Sequence, residues 1–229
     1  MGRKLKMSFL VYLGLIILLP LYAQFKVKST YNKYSKVRST SGMTGAEVAR
    51  LILDQNGMQN VKVVESQGFL SDHYNPLTKI VALSPNNYRE ASVAGTAIAA
   101  HEVGHAIQDK EAYAALRLRH RLVPITNLTS KASWIFIMIG IIFSSMNSLL
   151  GIGIVLLAVG VVFQLVTLPV EFNASSRAMT QIVNLGIIKN EEEQHAKKVL
   201  SAAAMTYVAA AAVAVLELLR LVLIFTNRD

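Results

Sequence analysis

The sequence of 229 residues contains no cysteine and few charged side chains. Without cysteine, the chain can form neither disulfide bonds nor a metal site with thiolate ligands, so a metal would be bound by histidine, aspartate or glutamate. Charged residues make up only 16% of the chain, against 53% for hydrophobic residues. Because the charges are clustered, long uncharged tracts remain between them, which is typical of a membrane protein.

The net charge of +9 raises the question of nucleic-acid binding, but the positions of the basic residues favour another interpretation. Lysines and arginines lie mainly beside the apolar tracts, where they would contact lipid headgroups and fix the topology. We therefore expect a lipid bilayer, and no nucleic acid, as a partner of the chain.

Four apolar tracts have about the length that a helix needs to cross a bilayer. Residues 7–24 form the first, residues 132–168 contain the second and third, and residues 202–225 form the fourth. Asn147 and Ser148 separate the second tract from the third, which predicts a tight helical hairpin. We expect the first tract to be a retained helix. A cleaved signal peptide is the alternative interpretation.

Residues 25–131 lie between the first and second tracts and are numerous enough for a small folded domain. Thr44 and Glu47 have the spacing of a capping box, which predicts the start of a helix. Two short strands follow, with predicted bounds 61–64 and 78–84. These elements predict a small α+β domain.

The stretch His-Glu-Val-Gly-His lies in an apolar run, on a helix predicted to span about residues 90–110. His101 and His105 are four residues apart and therefore project from the same helix face. Glu102 lies about 100° around the helix from His101, within reach of a species that the histidines bind. This is the zincin pattern H-E-x-x-H, in which two imidazoles bind Zn²⁺ and the glutamate is the base for a zinc-activated water. An amphipathic helix that carries two histidines by chance is the alternative.

Catalytic zinc needs a third protein ligand, and several residues are candidates. The extended motif H-E-x-x-H-x-x-G-x-x-H is absent, because Gln108 replaces its glycine and Glu111 its third histidine. Glu171 follows the third apolar tract between two apolar residues, where an unpaired carboxylate would be costly. The hairpin would return it to the side of the two histidines. We favour Glu171, with His73 and His120 as the alternatives.

Residues 169–201 are expected to form the helix that carries this glutamate and a segment connecting it to the fourth tract. Pro169 suits the first turn of such a new helix. The predicted fold is therefore a mainly α membrane protein, with four transmembrane helices and a small α+β, zincin-like catalytic domain on one side of the membrane.

Three motifs together carry a resemblance to a known family: His-Glu-Val-Gly-His, Ser-Asp-His-Tyr-Asn-Pro upstream of it, and Pro-Val-Glu-Phe-Asn-Ala-Ser downstream. Framed by four apolar tracts, they resemble the YugP-like membrane zinc metallopeptidases. That family is similar to the gluzincin membrane proteases, which include the CAAX-prenyl and HtpX-type proteases. The resemblance implies Glu102 as the general base and three zinc ligands: His101, His105 and Glu171.

The chain departs from these relatives at one position. They carry an acidic residue four positions after the glutamate ligand, where this chain has Ser175. The resemblance therefore leaves undecided which residue forms a hydrogen bond with the second ring nitrogen of a histidine ligand. Asn173 and Asp109 are candidates.

The predicted activity is that of an integral-membrane zinc endopeptidase, which hydrolyses peptide bonds of membrane or membrane-proximal proteins. The reaction also needs a donor for the developing oxyanion, for which Arg177 and His73 are the candidates. The strand predicted at residues 78–84 is either a site where a peptide adds as an extra strand or an ordinary core strand. Addition by backbone pairing would predict weak sequence selectivity.

Two alternative functions compete with this prediction. In one, the chain is an intramembrane protease with its zinc inside the bilayer, but residues 84–111 carry charged side chains on both sides of a short apolar stretch. In the other, it is a non-enzymatic membrane scaffold with a structural zinc site. Glu102 argues against the scaffold, because a purely structural site has no use for a base.

Basic residues near the tract ends favour a cytoplasmic catalytic domain with both termini outside. The catalytic side has basic clusters at residues 26–38, 117–131 and 189–198, whereas the opposite side has four basic residues: Arg3, Lys4, Lys6 and Arg228. The charge before the first tract favours the reverse orientation, so the two signals oppose each other.

Overall fold

The structure is a computed structural model, which describes the backbone of residues 2–227 and the side chains of residues 10–143 and 145–227. The described chain is mainly helical and contains one small sheet. Its helices are α1 (Gly2–Tyr34), α2 (Gly45–Gln55), α3 (Pro85–Arg89), α4 (Val93–Lys110), α5 (Ala114–Ile142), α6 (Asn147–Asn184) and α7 (Glu191–Thr226). Its strands are β1 (Lys62–Glu65), β2 (His73–Asn75) and β3 (Ile80–Leu83).

Four helices, α1, α5, α6 and α7, are long and apolar enough to cross a membrane. A mainly α chain with four candidate membrane-spanning helices and a small sheet is thereby confirmed. Four basic side chains of the orientation argument lie outside the described residues: Arg3, Lys4, Lys6 and Arg228.

The chain divides into two compact units. The first unit contains the segment that ends at Ala23, residues Arg117–Pro169 and the segment that begins at Thr206. The second unit contains residues Gln24–Leu116 and Val170–Met205. The domain boundaries expected from the sequence stay a prediction.

In the first unit, the connection between α5 and α6 lies slightly earlier than the sequence predicted. Helix α5 ends at Ile142, a 3₁₀ turn spans Ser144–Met146, and α6 begins at Asn147. Asn147 and Ser148 are therefore the first residues of α6 rather than a turn, because short polar side chains are favourable at a helix start. A Cβ on Gly140 would lie only 2.5 Å from the Leu150 nitrogen, so the two helices pack closely at this glycine.

Helix α6 continues through Pro169 without interruption, so the expectation that a new helix begins there is wrong. Proline lacks an N–H and therefore removes the single hydrogen bond to the carbonyl of Leu165. Neighbouring groups in apolar helices commonly compensate for such a loss. Glu171 consequently lies two residues past this proline on one continuous helix.

The second unit contains the sheet, whose strand order is β1-β3-β2. Strand β3 pairs in parallel with β1 and antiparallel with β2. Because β3 is paired on both sides, no peptide can add to it, and the interpretation as an ordinary core strand is the right one. Strand β2 was not predicted, because three residues are too few for an alternating pattern.

The capping box that predicted α2 is present. The Thr44 hydroxyl accepts a hydrogen bond from the Glu47 amide at 3.3 Å, and the Glu47 carboxylate accepts one from the Thr44 amide at 2.8 Å. Helix α2 packs its apolar face against α4, and the fully buried residues of this core include Ile52, Leu53 and Val103. This packing holds α4 in a fixed position.

Candidate metal centre

Helix α4 carries the zincin motif through the core of the second unit. The Ser92 hydroxyl caps its start by accepting a hydrogen bond from the Gly95 amide at 3.0 Å. Most of its residues are buried, and many are alanine or glycine. Such small side chains let neighbouring elements approach the helix closely, so the polar side chains of the motif are enclosed by protein.

Helices α4 and α6 touch backbone to backbone beside the motif. A Cβ on Gly104 would lie 2.5 Å from the carbonyl oxygen of Ala174, a distance that no real side chain tolerates. Glycine is therefore required at this position for the observed approach. The contact brings Glu171, one turn before Ala174 on α6, up to the two histidines of α4.

The structure brings together the side chains of His101, His105 and Glu171, whose donor atoms all lie within 4.8 Å of one another. The Nε2 atoms of His101 and His105 lie 3.3 Å and 3.5 Å from the same Glu171 oxygen, Oε2. In a tetrahedral zinc site with bonds of about 2.0–2.1 Å, neighbouring donors are about 3.3–3.4 Å apart. These residues therefore fit a zinc ion, both in spacing and in donor type.

The three side chains of this cluster are largely shielded from solvent. The Glu171 side chain is only 2% exposed, and the side chains of His101 and His105 are 13% and 11% exposed. A buried carboxylate is costly unless it is paired with a cation or hydrogen-bonded. A bound metal ion would supply the positive charge that this carboxylate needs.

Gln108 supports His105 from behind. Its side-chain oxygen accepts a hydrogen bond from Nδ1 of His105 at 3.0 Å, and its amide nitrogen donates to the Val170 carbonyl at 2.8 Å and to Asn173 at 2.9 Å. The bond at Nδ1 leaves Nε2 as the free, unprotonated donor that a metal requires. Gln108 thus links the histidine of α4 to the part of α6 that carries Glu171.

Ser175 takes the corresponding place behind His101, with its hydroxyl oxygen 3.1 Å from Nδ1 of the histidine. Ser175 stands at the position where the resemblance to the gluzincin membrane proteases would lead us to expect an acidic residue. Asn173, a candidate for the supporting role, instead contacts Gln108 and Arg177. Asp109, the other candidate, accepts hydrogen bonds from Tyr74 at 2.7 Å and Lys79 at 2.5 Å.

The supporting roles of Gln108 and Ser175 were missed from the sequence, although both leave a signal in it. Gln108 lies three residues after His105 on the same helix, a spacing at which side chains meet. Ser175 lies four residues after Glu171, on the same face of α6. A search for polar residues at these spacings from each ligand would have found both.

Glu102 is buried beside the cluster, with 8% of its surface exposed. Burial raises the pKa of its carboxyl group, while the charges on His101 and His105 oppose that rise. A raised pKa moves a carboxylate towards the range in which it can accept and return a proton near neutral pH.

The two residues expected to stabilise an oxyanion have other partners. Arg177 forms an ion pair with Glu111 at 2.7 Å and donates a hydrogen bond to Asn173 at 2.7 Å. His73 lies on β2, exposed, with Nδ1 2.8 Å from the carbonyl oxygen of Ser71. The catalytic role of either residue stays a prediction. His73 and His120, the alternative third ligands, are not members of the metal cluster.

Comparisons with known proteins place the chain among zinc metallopeptidases. A family model described as "Putative neutral zinc metallopeptidase" matches residues 9–226. The chain is 53% identical over 209 residues to the "Putative membrane protease YugP" of Bacillus subtilis (strain 168), an alignment that covers 91% of this chain and 92% of the relative. No solved structure matches the chain.

These matches confirm the resemblance to the YugP-like family and support a membrane location and peptidase chemistry. The cofactor is zinc, since the family is one of zinc metallopeptidases and the cluster of His101, His105 and Glu171 can hold a metal ion. Because the family model matches residues 9–226, the chain belongs to the family described as "Putative neutral zinc metallopeptidase".

Proposed function

We propose that the protein is an integral-membrane zinc endopeptidase that hydrolyses peptide bonds of membrane or membrane-proximal proteins. The observation that carries this proposal is the spacing of the Nε2 atoms of His101 and His105, 3.3 Å and 3.5 Å from one Glu171 oxygen. Membership of a metallopeptidase family supports the chemistry. Four helices able to cross a membrane support the location.

Each residue of the site would have a separate role in the reaction. When bound, zinc supplies a Lewis acid that polarises the scissile carbonyl group and acidifies water. His101, His105 and Glu171 would hold the ion, while Ser175 and Gln108 keep the two imidazole rings oriented through Nδ1.

Glu102 would be the general base. Its buried carboxylate would take a proton from the attacking water and pass it to the departing amine. The raised pKa of Glu102, which results mainly from burial, suits both steps, because the group must first accept and then release a proton.

Strand β2 is the element that best suits a substrate peptide. It lies at an edge of the sheet and contacts α4, so its outer edge offers backbone donors and acceptors for an added strand. Such pairing reads the main chain of the peptide and depends little on its side chains. We therefore expect weak sequence selectivity.

The decisive test compares the native chain with Glu102→Gln. Both proteins are purified in detergent, their zinc is measured by elemental analysis, and cleavage of casein is followed by gel electrophoresis. We expect Glu102→Gln to retain zinc and to lose cleavage, because only the base is removed. Glu90→Gln, which alters an exposed glutamate, is the matched control and should cleave like the native chain.

Two results would contradict the proposal. Cleavage by Glu102→Gln at the native rate would exclude Glu102 as the base. A native protein that binds zinc but cleaves no more than Glu102→Gln would favour the alternative function, a membrane scaffold with a structural zinc site.

We also propose that the catalytic domain faces the cytoplasm, with the zincin-like domain on that side of the membrane. The basic clusters that flank the apolar tracts support this orientation. Alkaline phosphatase fused to the C-terminus should be active, because we expect that end outside the cell. A cytoplasmic reporter active at the same position, with inactive phosphatase, would reverse the orientation.

A further inference from the structure

We propose that a basic groove between α1 and α7 binds the phosphate of an anionic lipid headgroup. The groove has a volume of about 610 Å³ and lies within the second unit. This site is separate from the residues that the proposed peptidase uses, and it stands whether or not the protein cleaves peptides.

Two helix faces line the groove with polar side chains at helical spacing. On α1, Lys26, Ser29 and Lys33 line it and recur every three or four residues, so they share one face. On α7, Gln194, Lys198 and Ser201 do the same. The groove therefore presents ammonium groups and hydroxyl groups together, and these are the donors that bind phosphate oxygens.

The charge of the groove is entirely positive. No carboxylate lines it, whereas four lysines do: Lys26, Lys33, Lys197 and Lys198. Among the described residues, none of these lysines forms an ion pair, and the only charge-related contact is that of Lys33 with the Tyr34 ring, 5.4 Å from its centroid. Four like charges in one cleft attract an anion strongly, because nothing in the cleft neutralises them.

The position of the groove along both helices favours a lipid over free phosphate. The first apolar tract ends at residue 24, and the fourth begins at residue 202. With a rise of about 1.5 Å per residue, Lys26 lies about 3 Å and Lys198 about 6 Å from these ends. Headgroup layers are about 5–8 Å thick on each side of the hydrocarbon core. Both ammonium groups would thus lie at the depth of lipid phosphates.

The lining is also graded in polarity, as a lipid is. Ala202 and Met205 line the groove on the side of the fourth apolar tract, whereas Lys33 and Gln194 line it at the other end. Buried Tyr34, which stacks on His195 with ring centroids 4.7 Å apart, belongs to the wall at that end. A headgroup could lie among the lysines while its acyl chains follow the apolar end. Basic pockets between membrane helices bind anionic lipids in this way.

The test measures lipid binding to the full-length protein in nonionic detergent. Delipidated protein is titrated with phosphatidylglycerol or, as the uncharged reference, phosphatidylcholine, and bound lipid is counted by native mass spectrometry. The native chain should retain phosphatidylglycerol in preference to phosphatidylcholine. The variant Lys197→Gln/Lys198→Gln should bind phosphatidylglycerol about twenty-five-fold more weakly, at about five-fold per lysine.

The control variant Lys28→Gln/Lys189→Gln removes the same charge from two exposed lysines outside the groove and should bind like the native chain. Lys197→Arg/Lys198→Arg should restore binding, because arginine also donates to phosphate. Circular dichroism of each variant confirms that it is folded. Since no step measures cleavage, the result is independent of the proposed peptidase activity.

Two outcomes would overturn the proposal. Equal loss of phosphatidylglycerol binding in the groove variant and the control variant would mean that overall charge, not the groove, attracts the lipid. Binding of inorganic phosphate that depends on Lys197 and Lys198, with no preference for phosphatidylglycerol, would assign the groove to a soluble phosphate compound instead.

Discussion

Replacing Gln108 with alanine should weaken zinc binding by about ten- to a hundred-fold, although it removes none of the three donor atoms. The side chain is fully buried and forms hydrogen bonds with His105, Val170 and Asn173. Truncation leaves Nδ1 of His105 without its acceptor at 3.0 Å, so the ring is free to rotate or to change tautomer.

The expected loss follows from these contacts. A ten- to hundred-fold change in affinity corresponds to about 1.4–2.8 kcal/mol. Leaving one buried polar group unpaired costs about 1–3 kcal/mol, which is the same range. The second variant, Gln108→Glu, keeps an acceptor for His105 but removes the amide donor to Val170 and Asn173. It should bind zinc more tightly than Gln108→Ala if the contact to His105 is the important one.

The assay is competition for zinc between the purified protein in detergent and a chromophoric chelator of known affinity. Gln59→Ala, which truncates an exposed glutamine, is the matched control and should bind zinc like the native chain. Native affinity in Gln108→Ala would refute the reasoning, because it would show that the ring of His105 is held without this contact.

Three further predictions concern the same site. Gly104→Ala should lower zinc affinity at least ten-fold in the same chelator assay, because its Cβ would lie 2.5 Å from the Ala174 oxygen and would separate α4 from α6. Gly160→Ala is the control and should bind zinc normally, because the atom nearest to its added Cβ is 4.0 Å away. Ser175→Asp should tighten zinc binding several-fold, since a carboxylate supports an imidazole better than a hydroxyl does, and Ser175→Ala should weaken it. Removing zinc with a chelator should lower the melting temperature in differential scanning fluorimetry, because a ligand present at a hundred times its dissociation constant stabilises the folded state by about 2.7 kcal/mol; Glu171→Gln should show a much smaller chelator effect, and an effect as large as in the native chain would contradict its place among the ligands.

Much of the architecture could be predicted because it depends on local patterns. The four apolar tracts identified the membrane-spanning candidates by length and composition, and the Thr44–Glu47 spacing identified the start of α2. The three residues of the metal cluster were also predicted, since two histidines one turn apart match a zinc-binding pattern and a carboxylate in apolar surroundings needs a cation nearby.

What could not be predicted depends on how separate elements meet. Pro169 looked like a helix start because the rule for proline is local, whereas the whole of α6 decides whether one missing hydrogen bond is tolerated. Whether strand β3 is available to a peptide stayed open, because its own sequence does not reveal that β2 covers its second edge. The contacts of Gln108 with Val170 and Asn173 depend on the register between α4 and α6, which no periodicity within α4 encodes.

The backbone contact at Gly104 narrows the set of sequences that can build this centre. Because a side chain there would collide with Ala174, the motif that this packing permits is His-Glu-x-Gly-His rather than the looser H-E-x-x-H. The opposing helix must offer glutamate with a small residue three positions later, as Glu171 and Ala174 do. Searching translated genomes for this paired pattern, with an intervening apolar hairpin, should retrieve chains of this architecture and reject the many soluble proteins that contain H-E-x-x-H alone.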